Sequence, residues 1–137
     1  MRYKFIVFGK PQPKQRPRFN TRTGTAYTPR ETQLYETEVK YYFLRDNPRA
    51  RKLEGALAVR IDAYFEPPKA TAKAVREKMY LGKIRPAKKP DADNIIKAIC
   101  DALNGIAYVD DGQIVSVCCR KLYGDVARCE VEISDEG

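Results

Sequence analysis

Not one histidine occurs in the 137 residues of this chain. That absence removes Ser-His-Asp and Cys-His catalysis, imidazole general bases, and nucleases that activate water with a histidine. Any hydrolysis must then use carboxylates, lysine, tyrosine or a metal. No glycine-rich phosphate loop is present either, which weighs against chemistry on small nucleotides. No apolar run approaches the roughly 18 residues that a membrane span needs. The apolar stretch within MRYKFIVFGK is too short and too interrupted for a signal peptide, so the cytoplasm is the expected location. The four cysteines, Cys100, Cys118, Cys119 and Cys129, follow no C-x-x-C spacing, so neither a zinc site nor a disulfide framework is expected. They read as reduced, mostly buried small apolar residues, with Cys118 and Cys119 on opposite faces of a strand.

What the chain has in excess is positive charge. Lys and Arg number 26 against 18 Asp and Glu, a formal net charge of +8. Such a surface attracts polyanions, nucleic acid first and an anionic membrane surface second. The length suits one domain, residues 1–137, with one real core.

Periodicity sets out the elements. Met1 to Phe8 reads as a strand. Gly9 to Arg30 holds Pro11, Pro13 and Pro17 among dense bases and reads as an extended basic loop. Thr28-Pro29-Arg30-Glu31 carries the signals of a helix start, with Thr28 as N-cap. The helix it opens runs to about Asp46, with Leu34, Tyr35, Val39, Tyr42 and Phe43 facing the core. Leu57 to Phe65 alternates as a half-buried strand, Thr71 to Leu81 suits a short helix, and GKIRPAKKP is a second basic loop. In DNIIKAICDAL the residues Ile96, Ile99, Cys100 and Leu103 form one apolar helical face, closed by Asn104-Gly105. Strands are expected over Ile106–Val109, Gln113–Tyr123 and Ala127–Ile133, with Asp110-Asp111-Gly112 as a turn. The order predicts an α+β fold of two layers, a mixed β-sheet with helices packed on one face.

The acids cluster against this basic background. Asp91 and Asp93 stand at the mouth of a helix, where a carboxylate caps free N–H groups and complements the dipole. Capping explains one aspartate, and Asp93 fits as the N-cap; it explains the pair less well. A helix followed by one short strand can return the chain to its start, so that Asp110 and Asp111 meet Asp91 and Asp93. At about 5 Å and an effective dielectric of about 20, each like-charged pair then costs roughly 3 kcal/mol. A bound cation offsets that repulsion, and all-oxygen ligation suits Mg2+ or Mn2+. Lys97 lies four residues after Asp93 and four before Asp101. It is either a rung of an i, i+4 ion-pair ladder or a cation that meets a phosphate beside the metal.

KKPDADNIIKAICDALNGIAYVDDGQIV, Lys88 to Val115, resembles the signature of the RusA family of Holliday junction resolvases. The shared features are D-x-D-N, a lysine four residues after the second aspartate, D-A-L, and an aromatic-x-D-D-x-Q-V/I segment. PQPKQRPRF is similar to the basic, proline-rich opening of phage-type members. The resemblance implies a homodimeric, Mg2+-dependent endonuclease of α+β fold that cuts four-way DNA junctions in recombination and repair. It implies essential acids at Asp91, Asp93 and Asp111, a catalytic lysine at Lys97, and a supporting acid at Asp110. Tyr108 stands where some members have tryptophan.

Bases bracket these acids: Lys14, Arg16 and Arg18 in the first loop, and Lys83, Arg85, Lys88 and Lys89 in the second. Acids that hold a metal beside bases that hold DNA phosphates form what a phosphodiesterase needs. Two other readings stand beside this one: a protein that binds branched DNA without cutting it, and a metal-dependent phosphohydrolase acting on nucleotides.

Overall fold

The computed structural model describes residues 1–135. Its centre is a four-stranded mixed sheet in the order β1-β6-β4-β5, made of β1 (Arg2–Phe8), β4 (Leu57–Phe65), β5 (Ile114–Tyr123) and β6 (Arg128–Asp135). β6 runs antiparallel to both β1 and β4, whereas β5 pairs with β4 in parallel at the sheet edge. Alternation of side chains decides which face is dry. Tyr3, Phe5 and Val7 of β1, the odd residues Leu57 to Phe65 of β4, and Cys129, Val131 and Ile133 of β6 are all buried. The intervening Arg2, Lys4, Arg60, Asp62, Glu130 and Glu132 lie on the other face, which a lattice of ion pairs keeps wet.

Two helices cover the dry face. In α1 (Arg30–Asp46) the residues Tyr35, Val39 and Phe43 are buried, and Phe43 stands edge-on to Tyr3 and Phe5 at ring separations of 5.7 and 5.3 Å. Edge-to-face pairs of this kind add about 0.5–1.5 kcal/mol each to the area that the rings bury. Leu34, expected in the core, is instead 53% exposed. It precedes Tyr35 by one residue, and the 100° step between them turns it away from the sheet. α3 (Ala92–Leu103) lies between α1 and β5 and buries Ile95, Ala98, Ile99, Cys100, Ala102 and Leu103. α2 (Lys73–Tyr80) leans on β5 with Met79 as its buried residue. No helix among the described residues is long and apolar enough to cross a membrane. The α+β architecture with a mixed sheet is as the periodicity predicted.

Four local expectations change. First, residues 18–27 are a hairpin, β2 (Arg18–Asn20) against β3 (Thr25–Tyr27), within the stretch read as a loop. Pro11, Pro13 and Pro17 precede the hairpin and Pro29 follows it, so nothing withdraws N–H donors from the ladder. Asn20 Oδ1 accepts from the N–H groups of Arg22 and Thr23 at 2.9 and 3.4 Å, and Gly24 supplies the left-handed turn at φ 70°. Second, Pro29 rather than Thr28 holds the N-cap position of α1, and no side chain caps it. Third, α3 begins earlier than a cap at Asp93 would allow. The Asp91 carbonyl accepts from Asn94 and Ile95 N–H, both at 3.1 Å, so Asp91 is the cap position and Asp93 sits in the first turn.

Fourth, Ile106–Val109 is a turn with isolated bridges from Tyr108 to Leu53 and Asn104, not a strand. Gly105, at φ 80°, turns the chain back under α3. There Tyr108 is wholly buried and donates its hydroxyl to the Cys100 carbonyl.

Of the cysteines, Cys100 and Cys129 are buried and Cys119 is half-buried, as expected of small apolar residues, while Cys118 is exposed. Cys118 pairs in register with Arg60 on the wet face of the sheet, which accounts for its exposure. Burial pushes the thiols of Cys100 and Cys119 up to about 11 and that of Cys129 up to about 12, so they behave as inert packing groups.

Candidate active site

The segment Lys88–Gln113 is organised around α3. Asp91 and Asp93 open the helix, where its free N–H groups favour negative charge. Both are exposed, and Lys89 lies 3.8 Å from the Asp91 carboxylate. The first basic loop runs alongside. Lys14 N–H donates to the Asn94 carbonyl at 3.0 Å, and Lys10, Pro13, Lys14, Lys89, Asp91 and Asn94 line one shallow cleft. Bases of both loops therefore stand beside the acid at the helix mouth.

Lys97 is exposed on the next turn of α3, about 6 Å along the axis from Asp93 at the usual helical rise. The ladder Asp93–Lys97–Asp101 does not form. Asp101 pairs with Lys14 at 3.5 Å, and no ion pair to Lys97 occurs among the described residues. Lys14 also holds Glu36 at 2.8 Å, and its side chain is only 17% exposed. Burial works against its charge, but Glu36 and Asp101 outweigh that and raise its pKa. Lys14 is thus a brace between α1, α3 and the loop, unlike Arg16, Arg18, Lys83, Arg85, Lys88 and Lys89, which are exposed. The Lys121 ammonium donates to the Lys88 carbonyl and pins the second loop to β5.

Asp110 and Asp111 form the other acidic pair. Asp110 Oδ2 accepts from Gly112 N–H at 2.9 Å and caps a single 3-10 turn, Asp111–Gln113. Asp111 is exposed, and its charge, with that of Asp101, adds to the effect of burial in raising the pKa of Tyr108. Asp111 thus shares the surroundings of Tyr108 with the C-terminal half of α3. The expected meeting of three or four acids is not present. Among the described residues no three His, Cys, Asp or Glu side chains stand close enough to hold a metal ion together. The donor chemistry nevertheless fits Mg2+, which keeps several waters and takes one or two carboxylates plus substrate phosphates rather than a closed cage. Exposed aspartates at a helix mouth suit that mode of binding.

One residue of the site had no role in the sequence reading. Gln113 Oε1 accepts from Val109 and Asp110 N–H at 2.9 and 3.1 Å, and its Nε2 donates to the Leu53 and Gly55 carbonyls at 3.0 and 3.1 Å. A single amide thereby fixes the acidic turn to the entry of β4. The signal available was the spacing Asp110-x-x-Gln113, a capping-box pattern.

The chain is similar over 136 residues, at 32% identity, to the uncharacterized protein YqaN of Bacillus subtilis (strain 168), covering 96% of this chain and 95% of that protein. Residues 9–134 match the family model described as endodeoxyribonuclease RusA, a span that takes in both basic loops, α3 and the acidic turn. The chain belongs to the RusA endodeoxyribonuclease family.

Proposed function

We propose that this chain is a structure-selective endonuclease that hydrolyses phosphodiesters at four-way DNA junctions, using Mg2+, with Mn2+ as a substitute, and acting as a homodimer in recombination and repair. The observation that carries the reading is the placing of Asp91 and Asp93 at the mouth of α3, with Asp91 in a cleft shared with bases from both loops. Asp91, Asp93 and Asp111 would hold the cation, and Asp110 supports them by fixing the turn that carries Asp111. When bound there, a divalent cation supplies Lewis-acid polarisation of the phosphodiester and lowers the pKa of water. Lys97, free of ion pairs among the described residues, is available to meet negative charge on the phosphoryl oxygens. Arg16, Arg18, Lys83, Arg85, Lys88 and Lys89 would hold the DNA backbone, which fixes position without reading sequence. Two copies related by a twofold axis would place two such sites for symmetric cuts.

The test is incubation of the purified protein with a labelled four-way junction and a matched duplex, with and without Mg2+. Junction cleavage that needs the metal is expected. Asp91→Asn, Asp93→Asn and Asp111→Asn are expected to abolish it while junction binding survives, because removing negative charge lowers repulsion of DNA. Full cleavage by any two of these variants overturns the assignment. One observation favours the rival reading of a binder that does not cut, namely that the acids do not gather into a three-residue cluster among the described residues. Tight junction binding with no cleavage at any Mg2+ or Mn2+ concentration would establish it.

A further inference from the structure

The β2–β3 hairpin is attached near the acidic site and, among the described residues, joins no other strand. Every residue from Arg16 to Tyr27 is exposed, and the two strands pair only with each other. An isolated two-stranded hairpin is marginal in water, and large apolar side chains on one stabilise nothing unless they are covered. Yet Phe19 is 64% and Tyr27 48% exposed. In the register Arg18↔Tyr27, Phe19↔Ala26 and Asn20↔Thr25, Phe19 occupies one face of the ribbon and Tyr27 the other, beside Arg18.

Charge and attachment narrow the occupant. Gly9 to Arg30 holds six bases, Lys10, Lys14, Arg16, Arg18, Arg22 and Arg30, and no acid. The root is fixed firmly: Lys14 N–H bonds the Asn94 carbonyl at 3.0 Å, and Gln15 N–H bonds Thr32 Oγ1 at 3.3 Å. Asn94 follows Asp93 directly, so the arm leaves the body beside the first turn of α3. A polyanion that reaches the acids there comes within reach of the ribbon. Aromatic side chains among bases suit nucleic acid with open base faces, because stacking needs a π-face rather than a sequence. Base pairs inside a continuous duplex are covered above and below by their neighbours. At a branch point they lose a neighbour and become available.

We infer that the hairpin is the element that distinguishes branched from continuous DNA, with Phe19 stacking on a base exposed at the branch point while the arginines hold the flanking phosphates. This rests on the endonuclease reading above and adds to it the source of structural selectivity.

The experiment uses the full chain in metal-free buffer, so that binding is measured without cutting. Four-way junctions carry 2-aminopurine either at the exchange point or in mid-arm, and a matched duplex serves as the reference. The parent is expected to change the fluorescence of the exchange-point probe and not of the mid-arm probe. Phe19→Ala should remove that change and lower the preference for junction over duplex by about 5- to 150-fold, the range that one lost base stack gives. Phe19→Trp should restore both. Because Phe19 is largely exposed, the alanine variant should melt with the parent. An unchanged preference in Phe19→Ala, with the parent still discriminating and cutting, overturns the arm's role alone. So does a variant that melts earlier or changes its sedimentation, since Phe19 would then be packed in its own chain or against a second copy. A parent that does not distinguish junction from duplex removes the underlying reading as well.

Discussion

Gln113 offers the sharpest test of how the acidic turn is held. Replacing it with leucine keeps the bulk and deletes four hydrogen bonds, two to the Val109 and Asp110 N–H groups and two to the Leu53 and Gly55 carbonyls. Val109, Asp110 and Gly55 are exposed and can turn to water, whereas Leu53 is only 5% exposed. Taking about 1.5 kcal/mol for the bond to Leu53 and about 0.5 for each of the others gives a loss of about 3 kcal/mol. For a chain of this size that lowers Tm by about 9–15 °C. Gln113→Glu is the sharper variant. It keeps an acceptor for the two N–H groups but sets a carboxylate oxygen against two carbonyls, beside Asp110 and Asp111. Its deficit should exceed that of leucine at neutral pH and shrink toward acid pH, where a protonated carboxyl can donate again. The assays are thermal unfolding at several pH values and single-turnover junction cleavage at saturating enzyme. A leucine variant that melts within about 2 °C of the parent and cuts within about threefold would refute the view that this amide holds the site.

Lys97→Ala should lower the single-turnover cleavage rate by about 10²–10³ with little change in binding, as for loss of a preorganised cation at a reacting phosphate. With no ion pair to lose, its thermal unfolding should match the parent, and cleavage within about threefold would make Lys97 a plain surface residue. Arg16→Ala and Arg18→Ala should each reduce the log–log salt slope of duplex binding by about 0.9, whereas Lys14→Ala should leave the slope alone and lower Tm. Equal slopes in all three would refute the distinction drawn between brace and phosphate contact. On the wet face of the sheet, the Arg120 guanidinium, bonded at 2.8 and 2.9 Å, holds the Asp62 carboxyl below its usual range, with Arg60 and Arg85 assisting against partial burial. A depressed folded pKa contributes stability above the unfolded value near pH 4, and that contribution is lost as pH falls through the lower folded value. Asp62→Asn should therefore flatten the acid limb of the stability curve below about pH 4, and superimposable limbs would show that the pair contributes nothing.

What the sequence displayed best was alternation. The inward residues of β4 and β6, and Ile99, Cys100 and Leu103 of α3, were legible because period and burial coincide there, whereas Ile96, counted in that stripe, is half-buried and Ile95 is buried instead. Leu34 was misplaced because α1 mixes apolar residues around much of its circumference. The turn at Ile106–Val109 looked like a strand by composition, but the socket that takes Tyr108 beneath α3 is a tertiary feature with no local signature. Lys14 was grouped with Arg16 and Arg18 by charge alone, since its partners Glu36 and Asp101 are distant in the chain. The acids were legible as a motif, while their spacing in three dimensions depends on how α3 and the 3-10 turn dock.

The parallel pairing of β4 with β5 has a kinetic side. The 48 residues between Phe65 and Ile114 form one crossover, and they contain Asp91, Asp93, Lys97, Asp110, Asp111 and the whole second basic loop. Closing a loop of that length costs about 3 kcal/mol of chain entropy beyond the constant for any closure. Among strands, β5 recovers that cost from one neighbour only, because it lies at the sheet edge. It is therefore the strand whose docking comes late in folding and whose release comes early in unfolding. The proposed catalytic residues lie in the crossover that leads to it. As denaturant rises, nuclease activity should disappear while the β1–β6–β4 sheet is still paired, so that loss of cutting and loss of sheet signal are two separate transitions.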